Sequence, residues 1–68
     1  MEPMKQRLLR IQGSQRPDLM TQLDFHALKA LAEAPVHVAD KAIREFVNIN
    51  YDPQDASLEF RRFLTEIL

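Results

Sequence analysis

The chain has no cysteine and no tryptophan, and only one glycine, Gly13. Without cysteine there can be no disulfide staple and no thiolate metal site. A lone glycine rules out the glycine-rich loops that cradle phosphates in nucleotide-binding motifs. No apolar run approaches the roughly 18 residues needed to cross a bilayer, and the N-terminal stretch lacks the continuous apolar segment of a signal peptide. A reducing, cytoplasmic setting is the expectation.

The chain is 68 residues long, so it has room for one core. A core of that size supplies at most about 3–5 kcal/mol, and without disulfide or metal the usual supplement is a second chain. Hydrophobic residues make up 46% and charged residues 28%, a balance that folds rather than stays disordered. The net charge of −1 conceals a split. Residues 1–17 carry Lys5, Arg7, Arg10 and Arg16 against Glu2, about +3, and the remainder carries about −4.

The four prolines and Gly13 fall between stretches of helical periodicity, which predicts an all-α bundle of three to four short helices forming a single domain. A basic helix is expected within 1–13, where Met4, Leu8 and Ile11 recur at i, i+4, i+7 and Gly13 stops the run. A central helix is expected over 17–34, capped by Ser14, Asp18 or Thr21. It would place Leu19, Met20, Leu23, Ala27, Ala30, Leu31 and Ala34 on one broad face and Phe25, Leu28 and Ala32 on a second. Pro35 ends it, Val36–Val38 reads as an extended connector, and a third helix follows over 39–50. The third helix turns Ala39, Ala42, Ile43, Phe46, Val47 and Ile49 inward and Lys41, Arg44, Glu45 and Asn48 outward. Asp52-Pro53 marks the start of a helix over 53–68, with Ala56, Phe60, Phe63, Leu64, Ile67 and Leu68 on its apolar face and Leu58 stranded opposite.

Signals for chemistry are sparse. His26 and His37, with Asp24 and Asp40 nearby, lack the paired spacing of a metal site, so no metal or cofactor is expected. Ser14 and Ser57 sit at cap-like positions, and no nucleophile elbow accompanies them; the expectation is a protein that is not an enzyme. The first helix offers only Met4, Leu8, Leu9 and Ile11 as anchors, too little for a membrane surface.

Two binding functions remain. The helices at 17–34 and 39–50 have the outline of a helix-turn-helix, with Arg16, Lys41, Arg44 and Asn48 as candidate DNA contacts. A long turn without glycine, and Asp40 and Glu45 among those cations, argue against it. A helix apolar over more than half its circumference instead predicts protein binding through Met20, Phe25, Leu28, Ala32 and Leu58, with Met1 and Met4 as further adaptable contacts. The expected function is a regulator, inhibitor or adaptor that occludes a protein partner of unknown identity, as a homodimer, with DNA binding as the alternative.

Overall fold

A computed structural model of the chain describes residues 3–67, and the side chains of residues 3–66. Met1, Leu68 and the side chain of Ile67, assigned above to an interface and to a buried face, lie outside what is described. Among the described residues there are four α-helices, α1 (Met4–Gln12), α2 (Phe25–Glu33), α3 (Val36–Phe46) and α4 (Ala56–Ile67), with a 3-10 helix at Pro17–Gln22 and no strand. The radius of gyration, 10.6 Å, is close to the ~11 Å of a single folded domain of this length.

α1 follows Pro3, which is extended (ψ 144°), and stops at Gly13, whose φ of −85° is an ordinary right-handed value. The Ser14 hydroxyl donates to the Ile11 carbonyl at 2.6 Å and accepts the Arg16 amide at 3.1 Å, so one side chain closes the helix and turns the chain.

The helix expected over 17–34 is broken in two. Pro17–Gln22 winds as a 3-10 helix, in which the Thr21 hydroxyl bonds back to the Asp18 carbonyl at 2.8 Å. Leu23 is extended (ψ 129°), and α2 then restarts with Asp24 as its cap, the carboxylate accepting the Ala27 amide at 2.9 Å. Asp24 takes the capping role for which Ser14, Asp18 and Thr21 were the alternative candidates. The break strands two backbone groups, and one buried hydroxyl meets both. Ser57 of α4, 4% exposed, accepts the Asp24 amide at 2.7 Å and donates to the Gln22 carbonyl at 3.2 Å.

Helix three also differs from the expectation. Ala34 takes the extended conformation that a following proline imposes, Pro35 caps, and the helix is under way by Val36. The supposed connector Val36–Val38 is helical because Val38 belongs to the buried i, i+4 pair with Ala42. The C-terminal end comes at Phe46 rather than residue 50, and the Asn48 side chain takes the orphaned Arg44 carbonyl at 2.6 Å. α4 starts at Ala56, three residues after the Asp-Pro signal. Asp55 is the cap, accepting the Leu58 amide at 3.1 Å, while Asp52 is engaged by Arg16.

The core gathers Ile11, Leu19, Ala27, Leu31, Val38, Ala39, Ala42, Phe46 and Phe60. α4 rather than the 17–34 segment is the hub, since α2, α3 and the 3-10 helix all pack on it, while α1 closes over the 3-10 helix and α3.

Candidate interaction surfaces

Of the N-terminal cations, Arg7, Arg10 and Arg16 turn inward, and Lys5 stays exposed. Arg7 is 1% exposed, and its Nη1 donates to the Leu31 and Ala34 carbonyls at 2.5 and 2.8 Å, so α1 supplies the C-terminal cap of α2. Arg10 meets Asp40 at 2.6 Å, which ties α1 to α3. Arg16 holds the Ile49 carbonyl at 2.8 Å, the Tyr51 carbonyl at 3.1 Å, Asp52 at 3.0 Å and Asp18 at 3.2 Å. Its hydrogen bond to Asp18 raises the Arg16 pKa further and holds the Asp18 carboxyl below the usual carboxylate range. The +3 segment of the sequence is therefore largely internal wiring. Arg16, a candidate DNA contact, is committed to pinning the 47–52 loop.

The predicted interface residues divide. Phe25 is 71% exposed on the outward face of α2, Ala32 is exposed two turns along the same stripe, and Leu28 is half-buried on its flank. The Phe25 and His26 rings stand in an edge-to-face arrangement, with centroids 6.0 Å apart. Met20 does not join this stripe; it packs half-buried against the core. Leu58, 46% exposed, stands elsewhere, on the outer ridge of α4 beside Tyr51, Pro53 and Arg62. Breaking the 17–34 segment is what reduces the apolar surplus, because Leu19 and Leu23 leave the α2 axis and enter the core.

A second feature lies between α3 and α4, where Lys41, Arg44, Glu45 and Asn48 rim a groove of about 500 Å³ floored by Phe63. Phe63 is the outer member of an aromatic row, edge-on to Phe46 at 6.2 Å, with Phe46 packed on Phe60 at 4.9 Å. Lys41 has no ion-pair partner among the described residues. Arg44, its side chain 71% exposed, leans on Asp40 at 3.4 Å. Asn48 is occupied, since its Oδ1 also accepts from Gln15 at 2.8 Å.

The turn between α2 and α3 consists of Ala34 and Pro35 alone, shorter than the sequence implied. Sequence reasoning gave no contact role to Tyr51 or Val36, both close to half-exposed. Val36 had a usable signal, as the first residue after a proline opens a helix with its side chain ahead of the buried stripe. Among the described residues no group of three or more His, Asp or Glu is placed to hold a metal, and no helix is long and apolar enough to cross a membrane. Comparison with protein-family models, curated proteins and solved structures finds no match to the chain.

Proposed function

We propose that this protein is a non-enzymatic, protein-binding regulator that acts by covering a site on its partner with the outward face of α2, in a cytoplasmic setting. The observation that carries the reading is Phe25. A phenylalanine left in water forgoes about 1.5–3 kcal/mol of burial, and the same chain buries Phe46 and Phe60 completely. Leu28 and Ala32 extend it at i+3 and i+7, the spacing with which an amphipathic helix anchors in a partner's groove. Without that partner, the same stripe is free to pair two copies of the chain as a homodimer, the default form of self-association.

The test is affinity capture from lysate of the source cell with wild type, Phe25→Glu, and a Lys41→Ala/Arg44→Ala variant in parallel. The expected result is a protein retained by wild type and by the α3 variant and lost with Phe25→Glu. Equal retention by all three overturns the assignment to α2.

The short Ala34-Pro35 turn and the neutralisation of Asp40 by Arg10 favour a second reading, duplex DNA binding through α3. On that reading Lys41 and Arg44 carry the phosphate contacts, duplex retention at low salt falls in the α3 variant, and Phe25→Glu has no effect.

A further inference from the structure

We propose that the groove between α3 and α4 receives the outer ridge of α4 from a second copy of this chain, in a head-to-tail contact separate from the α2 stripe. The groove asks for an apolar side chain to cover Phe63 and for carboxylates to meet Lys41 and Arg44. The chain carries that combination at Leu58, which is exposed between Asp55 and Glu59 on the first turn of α4. Both acids have an oxygen to offer. Asp55 uses Oδ1 as the helix cap and Glu59 uses Oε2 for the Tyr51 hydroxyl, which leaves Asp55 Oδ2 and Glu59 Oε1 without a hydrogen bond among the described residues. The signs match on the other side. Lys41 is unpaired among the described residues, Asp40 beside Arg44 is already held by Arg10 at 2.6 Å, and the two cations outnumber Glu45, the remaining carboxylate of the rim.

The symmetry of the contact follows from helix geometry. Leu58 and Phe63 are five residues apart on α4, about 140° round its axis, so ridge and groove face different directions on one molecule. A ridge-to-groove contact is therefore heterologous: each copy joined leaves one ridge and one groove open, and assembly continues past a dimer unless a ring closes. Its charged rim makes it weaken with added salt.

Sedimentation of full-length chains all carrying Phe25→Glu tests this with the α2 stripe disabled. The parent should gain average mass with concentration beyond that of a dimer, and lose the gain in high salt. Leu58→Lys alone, and Lys41→Glu/Arg44→Glu alone, should each stay at monomer mass. Mixed in equal amounts, those two variants retain one intact ridge and one intact groove between them, and should settle at twice the monomer mass and no higher. All the substitutions lie on exposed positions, and circular dichroism of each variant checks the helix content. If either charged variant is unfolded, Leu58→Gln and Lys41→Gln/Arg44→Gln replace it with the same expectation. A parent that is monomeric throughout, a plateau at dimer, or a mixture that stays monomeric overturns the proposal. Because every chain carries Phe25→Glu, none of these outcomes depends on the α2 assignment.

Discussion

Arg7 is the residue on which the N-terminal third depends. An arginine with its guanidinium in the interior is tolerated because it meets the Leu31 and Ala34 carbonyls at the end of α2, where the Ala34 amide reaches the Leu31 carbonyl only at 3.3 Å. Replacing it by methionine keeps the volume of the stem but removes the charged donor from both carbonyls. Arg7→Met is expected to cost about 2–3 kcal/mol. In a domain this small that lowers the melting temperature by roughly 10–20 °C. Thermal denaturation followed by circular dichroism checks it, and an unchanged melting point would show the carbonyls to be satisfied by water. Asp24 gives a pH signature. The Ala27 amide holds its carboxyl below the usual range, as Arg16 does for Asp18. A depressed folded-state pKa contributes stability that is present above the unfolded value, about 4, and disappears as pH falls through the lower folded value. Acid titration should show loss of helix below pH ~4. Asp24→Asn, which caps without charge, should make that limb shallower, whereas Asp24→Ala should lower the melting temperature at neutral pH as well.

At the scale of elements, the junction between the 3-10 helix and α2 rests on one hydroxyl. Ser57→Ala leaves the Asp24 amide and the Gln22 carbonyl without it, at a cost of about 1–3 kcal/mol. Hydrogen exchange should then quicken first at Asp24 and the opening turn of α2; uniform quickening throughout the chain would mean that the junction is not a local weak point. This junction also marks what could be read from the residues alone. Although Val38 was read as connector, helix content and most of the inward faces of α3 and α4 followed from periodicity, because Ala39, Ala42, Ile43, Phe46, Phe60 and Leu64 recur at helical spacing. The break at Leu23 did not, since the residue that makes it tolerable lies 33 positions downstream of Asp24. Likewise Arg7 and Arg10 read as cations of a basic helix and Arg16 as a DNA contact, while their partners, Ala34, Asp40 and Asp52, were remote in sequence. On the binding surface, the exposure of Phe25 was legible from its offset to the buried face of α2. The groove at Phe63 was not, because it exists only where α3 and α4 meet.

For the molecule as a whole, the aromatic row Phe60–Phe46–Phe63 joins α3 to α4 across a small core. Phe46→Ala removes its middle and is expected to cost about 3–5 kcal/mol, comparable with everything a domain of this size has. The variant should be unfolded at room temperature, seen as collapsed amide dispersion in a proton–nitrogen correlation spectrum; a dispersed native-like spectrum would mean that bound partners or self-association supply stability beyond the monomer's own. The hub position of α4 bears on how the protein is made. Ribosomes emit α1, the 3-10 helix, α2 and α3 before residues 56–67, and α2 and α3 find their main packing surface only when α4 emerges. A nascent chain halted before residue 56 should thus stay open and sensitive to proteases, and acquire resistance in a single step once the missing helix is supplied.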